Sequence, residues 1–228
     1  MMTPVRDIKL NNQEFIDILD EYKDKLMTIQ DNGKPAIANK AQISNFEQKQ
    51  EDWVSDDYMN KIMREGRAHD GFPAVLRGYT GLKWQDQEKL PMNKRAHEDI
   101  CNASKDLNTK LISFISANNN ALNAAYPPGG FISWHNNANA PGYNIICSWS
   151  ETGDGWFDYW DLDKKERVRV QDQKGWNCKM TYFGSYMEPE KICYHAAYTN
   201  CYRITVAYVF KDADNFWEEV IEDLENPL

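Results

Sequence analysis

The chain has 228 residues, of which 42% are hydrophobic and 27% are charged, as in an ordinary globular protein that is long enough to bury a sizeable core. Its formal net charge of −9 disfavours a nucleic-acid partner, because phosphate binding requires clustered Lys and Arg and the sequence has no strong cluster. We predict one domain over residues 1–228.

Cysteine usage and the N-terminal residues indicate the compartment. The five cysteines are an odd number and have no Cys-x-x-Cys spacing, which favours a reduced protein over a disulfide framework. Residues 1–12 lack the basic-then-apolar order of a signal peptide, and no apolar run approaches the length of a membrane span. These features predict a cytoplasmic protein with no membrane partner.

The first part of the chain, 1–125, is predicted to be mostly helical. Apolar residues recur at helical spacing over Glu14–Ile29, with a loose capping signal at Asn11. A second helix is predicted to begin at Ser55 and a third to cover Lys94–Ile115. We expect these helices to support the rest of the fold.

The hydrophobic period changes in the second half. Short runs rich in β-branched and aromatic residues alternate there with turn signals, which is typical of a β-sandwich or barrel. The predicted strands are Phe131–Trp134, Tyr143–Ser150, Trp156–Asp161, Arg167–Asp172, Cys178–Phe183, Lys191–Ala197 and Cys201–Phe210. We therefore predict a mainly β core over 126–210, helices against one sheet, and a closing C-terminal helix within 211–228.

Two of the four histidines lie where a sandwich could bring them together. His135 ends the first predicted strand and His195 lies in the sixth. A single histidine on a strand is more often structural than a ligand, but a mononuclear non-haem iron site uses two histidines and one carboxylate, and leaves positions open for cosubstrate and oxygen. The residue two places after the first histidine is Asn137.

Arg203 is the second indication of a site. It precedes the uncharged run Ile204–Phe210, and an arginine inside a sandwich needs an anionic partner. A dicarboxylate cosubstrate would fit, because a guanidinium can fork onto a carboxylate; Thr205 shares the strand face of Arg203. An acidic residue of a neighbouring strand would also fit.

Together these residues resemble the Fe(II)/2-oxoglutarate-dependent dioxygenases, and within them the prolyl 4-hydroxylase-like branch. That branch often has a Tyr nine or ten residues before the first metal His, with glycines between, as Tyr126 and Gly129-Gly130 stand before His135. Arg203-Ile204-Thr205 matches the Arg-x-Ser/Thr pattern with which many members hold the far carboxylate. The similarity covers roughly 126–210, and the same part of the chain is also similar to small oxygenase-like proteins of bacteriophages.

The resemblance implies a double-stranded β-helix, or jelly roll, supported by N-terminal helices. It implies Fe(II) and 2-oxoglutarate as cofactors, with His135 and His195 as metal ligands and Tyr126, Arg203 and Thr205 at the cosubstrate. The implied reaction hydroxylates a substrate while 2-oxoglutarate is decarboxylated to succinate. The substrate is not identified: a peptide or protein and a small metabolite both fit, and a nucleic acid is less favoured.

Asn137 departs from the family pattern, which has Asp or Glu at that position. Three interpretations are open. Asn137 ligates the metal weakly through its amide oxygen; or the ligand is a carboxylate from elsewhere (Asp154, Asp158 or Asp161), or the position is left to water or halide as in related halogenases; or the site no longer performs redox chemistry. Two further functions follow as alternatives, a catalytically inactive jelly-roll binding module and a cupin-like Zn or Mn protein.

Overall fold

The computed structural model describes residues 5–38, 41–42, 50–65, 76–80, 92–210 and 216–227. Its α-helices are α1 (Gln13–Thr28), α2 (Asp56–Glu65), α3 (Lys94–Phe114) and α4 (Phe216–Glu225). The four lie close to the predicted helices. No helix within the described ranges is long and apolar enough to cross a membrane.

Helix α1 begins one residue later than its predicted capping signal indicates. The side chain of Asn12 accepts a hydrogen bond from the Phe15 amide at 3.0 Å, so Asn12 is the N-cap. Asn11 instead donates its side-chain amide to the Glu225 carbonyl at 2.7 Å, which ties this end of the helix to the end of α4. The apolar stripe of α1, which includes Leu19 and Leu26, is buried.

The strands are more numerous than the sequence predicts. They are β1 (Val5–Ile8), β2 (Gln30–Asp31), β3 (Lys34–Pro35), β4 (Ala41–Gln42), β5 (Leu76–Thr80), β6 (Asn119–Tyr126), β7 (Gly130–His135), β8 (Gly142–Ser150), β9 (Gly155–Asp161), β10 (Glu166–Gln171), β11 (Gly175–Phe183), β12 (His195–Thr199) and β13 (Arg203–Phe210).

Two antiparallel four-strand layers form the core of the fold. One has the order β6-β13-β8-β11, with β1 beyond β11, and the other has the order β7-β12-β9-β10. Strand β5 pairs with β6 in one layer and with β7 in the other. This order is that of a jelly roll, a double-stranded β-helix, and it confirms the predicted fold class.

The two faces of the first layer meet different surroundings. Its outer face packs against α1, α3 and α4 through a large apolar cluster that includes Ile145, Ile204 and Tyr208. Its inner face meets the second layer, where Ile146 and Ala207 pack with aromatic residues of β9. Helices thus support one sheet, as predicted, and the interior between the layers is available for a site.

Two predicted boundaries are wrong. Strand β6 lies within 1–125, which was predicted to be helical, so the β core begins before residue 126. Residues 191–194 were predicted as strand, but a short 3-10 turn occupies Pro189–Lys191 and β12 begins only at His195. That the chain is one domain stays a prediction.

Candidate metal centre

His135 and His195 lie side by side in the interior of the jelly roll. His135 is the last residue of β7, His195 is the first of β12, and the two are directly paired across the strands. Their ring centroids are 4.1 Å apart, with the ring planes inclined at 52°. Both side chains are buried. The sequence placed these residues on different strands, and the fold makes them neighbours.

The two imidazoles are oriented in the same way. Nδ1 of His135 lies 2.7 Å from the Ser133 carbonyl oxygen, and Nδ1 of His195 lies 2.9 Å from the Cys193 carbonyl oxygen. A carbonyl only accepts, so each Nδ1 carries the proton and each Nε2 carries the lone pair. Histidines that ligate metals commonly have this arrangement, because the outer hydrogen bond fixes the ring and its tautomer.

Aromatic rings surround His195 and remove it from solvent. Phe183 stacks on its ring at 4.8 Å between centroids, and Phe157 lies at 5.6 Å. Burial lowers the pKa of His195 to about 4, although the hydrogen bond to the Cys193 carbonyl raises it somewhat. The imidazole is therefore neutral near pH 7, which is the protonation state that a metal requires.

Asn137 follows β7 in a turn, where its carbonyl accepts a hydrogen bond from the Ala140 amide at 2.8 Å. The residue is half-buried. Among the residues that the structure describes, no group of three or more His, Cys, Asp and Glu side chains is placed to hold a metal. A centre at the histidine pair therefore depends on a ligand of another kind, such as an amide oxygen or water.

The three aspartates considered as substitute ligands have other partners. Asp158 accepts hydrogen bonds from Arg167 and Arg169. Asp161 accepts from the backbone amides of the following turn and pairs with the Lys164 ammonium group. The side chain of Asp154 accepts from the Asn200 amide at 3.2 Å in an exposed turn. These contacts favour structural roles for all three.

Arg203 has an internal counter-charge. Its Nε donates to Asp172 Oδ2 at 2.7 Å and its Nη2 to Oδ1 at 3.4 Å. Nη1 donates to Thr205 Oγ1 at 2.6 Å. Of the two partners that the sequence leaves open for Arg203, the structure contains the acidic neighbour, which follows β10. Asp172 is a site residue that the sequence did not single out.

A glycine allows the Asp172 carboxylate to reach Arg203. A Cβ atom on Gly155 would lie 2.7 Å from Asp172 Oδ2 and 3.0 Å from Thr199 Oγ1, closer than real Cβ atoms pack. The Asp172 amide also donates to the Gly155 carbonyl at 2.9 Å. The ion pair is thus built into the strand ends rather than formed by two adaptable surface side chains.

Tyr126 is paired with Arg203 across β6 and β13. Burial raises the pKa of Tyr126 to about 12, against the smaller opposite effect of the Arg203 charge, so the phenol is neutral. Gly78 on β5 leaves room for the Tyr126 ring, since a Cβ there would lie 2.8 Å from Cδ1. Tyr126, Arg203 and Thr205 thus lie together at one end of the interior.

Lys179 is a second residue that the sequence analysis missed. It is 1% exposed on β11, and its Nζ lies 5.5 Å from the centroid of the Phe157 ring. Burial lowers its pKa, the Arg203 charge lowers it further, and the Asp172 charge partly opposes both. Its position between Cys178 and Met180, which are buried on the opposite strand face, is the signal that could have identified it.

The sequence matches no protein-family model, and no curated protein matches it significantly. Three solved structures show a distant likeness. A prolyl-4-hydroxylase from Pseudomonas putida is 12% identical over 86% of this chain and 100% of that protein, with a TM-score of 0.32. OsALKBH1 is 13% identical over 92% and 97%, with a TM-score of 0.35.

The third structure is of another kind. A carbohydrate-binding module from Cellvibrio mixtus lichenase 5A, in complex with cellotriose, is 12% identical over 40% of this chain and 79% of that one, with a TM-score of 0.23. Overlap at these levels does not bear on function, so the function of this chain rests on the chemistry of its interior.

Proposed function

We propose that this chain is an Fe(II)- and 2-oxoglutarate-dependent oxygenase that hydroxylates a substrate not yet identified. One observation carries the proposal: two buried neutral imidazoles are adjacent on paired strands, and the carbonyls that hold their Nδ1 atoms leave both lone pairs on Nε2. Imidazole suits Fe(II). A purely structural histidine pair has no need for matching tautomers.

In this proposal His135 and His195 bind the metal through Nε2, and Asn137 is the third ligand through its amide oxygen. Bound iron would supply the activation of oxygen, and one O₂, one 2-oxoglutarate and one C–H substrate would yield succinate, carbon dioxide and the hydroxylated product. The cytoplasm is the proposed compartment. The Asn137 amide donates less charge than a carboxylate, so we expect weaker Fe(II) binding than an Asp at that position would give.

The protein's own contribution is to orient groups and exclude water. The Ser133 and Cys193 carbonyls fix the two rings, while Phe157 and Phe183 keep solvent from His195. Tyr126, Arg203 and Thr205 are proposed to line the cosubstrate end. Arg203 uses three of its five N–H donors on Asp172 and Thr205, which leaves two that can hydrogen-bond a carboxylate.

A non-catalytic binding module is the second candidate. The observation that favours it is the Arg203–Asp172 pair, because an arginine with an internal counter-charge does not require an anionic cosubstrate. A cupin-like Zn or Mn protein is a further alternative, and it predicts metal content without 2-oxoglutarate binding.

An anaerobic titration of metal-stripped protein with Fe(II) and 2-oxoglutarate tests the proposal. We expect the visible metal-to-ligand charge-transfer band of a chelated 2-oxo acid, its loss in His135→Ala and its weakening in Arg203→Ala. Asn137→Asp should raise Fe(II) affinity by about tenfold or more, since it adds a charged oxygen ligand. A folded protein that takes up no iron and gives no band with either residue at 137 would favour the binding module.

A further inference from the structure

Six aspartate, lysine and arginine side chains are buried in the part of the chain that the structure describes: Asp31, Asp158, Asp161, Asp172, Lys179 and Arg203. Five of them have polar partners. Asp31 binds the Asn93 amides, and the other three aspartates and Arg203 have the ion pairs described above. Within the described residues, the Lys179 ammonium group has neither an ion pair nor a hydrogen bond.

Lys179 belongs to the face of β11 that points into the interior. Alternation along the strand places Lys179, Thr181 and Phe183 on that face. Thr181 contacts Cys193 Sγ at 3.8 Å and Phe183 stacks on His195. Lys179 therefore shares its surroundings with the residues around the histidine pair, and it does not face the helices.

The charges of the interior do not balance. Arg203 and Asp172 cancel, His195 is neutral, and the Lys179 charge remains. Asp7 pairs with Lys179 along the backbone of β1 and β11, but it is exposed and forms no ion pair with it. Because an unpaired buried ammonium group is costly, the interior is electrostatically suited to one added anion.

The position of Lys179 relative to the histidines defines the shape of that anion. Both the Lys179 Nζ and the His195 ring lie against Phe157, at 5.5 Å and 5.6 Å from its centroid. A small acid held near His195 at one end can extend along this ring to the ammonium group. Phosphate is compact and cannot make both contacts, whereas a short dicarboxylate can.

We propose that Lys179 supplies the unbalanced positive charge that binds the distal carboxylate of a short dicarboxylic acid inside the jelly roll. Arg203 then contributes hydrogen bonds from an already neutralised pair. The inference rests on the proposed function for the identity of the acid as 2-oxoglutarate, but the charge and burial of Lys179 do not depend on any metal.

Calorimetric titration of the intact, metal-stripped chain tests the inference. Glutarate is the probe, pentanoate is the matched acid with one carboxylate fewer, and inorganic phosphate is the third arm. The variants are Lys179→Met and, as a matched control, Lys174→Met at an exposed lysine just before β11. The same variants are then loaded anaerobically with Fe(II), and 2-oxoglutarate is compared with 2-oxopentanoate.

We expect the wild type and Lys174→Met to prefer the dicarboxylate by about tenfold or more, and Lys179→Met to lose that preference. Binding of the monocarboxylate should be the same in all three proteins. The inference is overturned if Lys179→Met keeps the preference, if no acid binds the wild type with or without iron, or if phosphate binds more tightly than glutarate.

The two proposals can fail separately. Glutarate binding that depends on Lys179, without a charge-transfer band from Fe(II) and 2-oxoglutarate, supports the inference and refutes the oxygenase. A band whose dependence on the distal carboxylate is unchanged in Lys179→Met does the reverse. Since methionine removes a buried charge without a partner, we expect the variant to fold.

Discussion

The two faces of the second layer treat buried charge in opposite ways. On the outer face, Asp158 is fully buried but is hydrogen-bonded by Arg167 and Arg169, and the Arg169 guanidinium lies 4.1 Å from the centroid of the Trp156 ring. On the inner side, across the sandwich, Lys179 has only an aromatic ring beside it. A polar cluster that serves structure is complete in the folded chain, whereas one that serves a ligand is left incomplete.

The largest effect is expected where a buried pair is broken inside. Asp172→Asn would leave Arg203 charged and uncompensated, because the Arg203 side chain is only 3% exposed. We expect a loss of about 3–5 kcal/mol in the free energy of unfolding, measured by urea denaturation. Asp163→Asn, at an exposed turn, is the control. Recovery should follow from Asp172→Asn combined with Arg203→Met, and a failure of that double variant to recover would contradict the ion-pair explanation.

Removing the unpaired charge should act in the opposite direction. Lys179→Met is expected to raise the free energy of unfolding of the ligand-free protein by about 1–3 kcal/mol. Urea denaturation at neutral pH measures this gain, and Lys174→Met should change little. Destabilisation by Lys179→Met would mean that the ammonium group is already satisfied in the ligand-free protein.

The same variant has a defined pH dependence. The folded pKa of Lys179 lies below its ordinary value of 10.5 through burial and the Arg203 charge, with Asp172, Cys178 and Asp7 opposing. Between the lowered pKa and 10.5 the unfolded chain binds more protons, so wild-type stability rises with pH in that window relative to the variant. The advantage of Lys179→Met should therefore be full below the lowered pKa and vanish as the pH approaches 10.5.

Gly155 tests how closely the inner pair is built. Gly155→Ala would force a Cβ against the Asp172 carboxylate and Thr199, and we expect a loss of about 1–2 kcal/mol from overpacking. Thermal unfolding provides the measurement. If the clash with the carboxylate is the cause, the effect should shrink in the Asp172→Asn background; equal losses in both backgrounds would point to Thr199 or the backbone.

The smallest effect is expected on the outer face. Asp158→Asn removes a buried carboxylate, but the Arg167 and Arg169 side chains are 23% and 45% exposed, so water can take its place. We expect a loss of about 1 kcal/mol, distinctly less than for Asp172→Asn under the same urea conditions. Equal losses would remove the proposed contrast between the two faces.

Much of the fold follows from periodicity, and the exceptions have physical causes. The stripe of α1 and the alternating runs of β8 and β13 show their period directly. Strand β6 was missed because Asn119–Tyr126 is rich in Asn and Ala, which disfavour strands; pairing with β13 and β5 overrides that preference. The residues before His195 have strand-like composition, but Pro189 turns the chain and cannot donate to a ladder.

The site was predictable only in part. The positions of His135 and His195 near the ends of an early and a late strand are visible in the sequence, and their adjacency follows from the jelly-roll order. Which carboxylate meets Arg203 depends on how β10 lies across the interior, and a local pattern holds no such information. The lack of a partner for Lys179 is likewise a property of the assembled sandwich.

Strand β10 also affects how these molecules meet one another. It lies at one end of the described strand order, so its outer row of backbone amides and carbonyls is available for pairing with another chain. Its side chains include Glu166, Arg167, Arg169 and Gln171, and its burial pattern shows none fully enclosed. Charged side chains along an edge oppose strand addition. The arginines that complete the Asp158 cluster therefore also help to keep neighbouring molecules from stacking edge to edge.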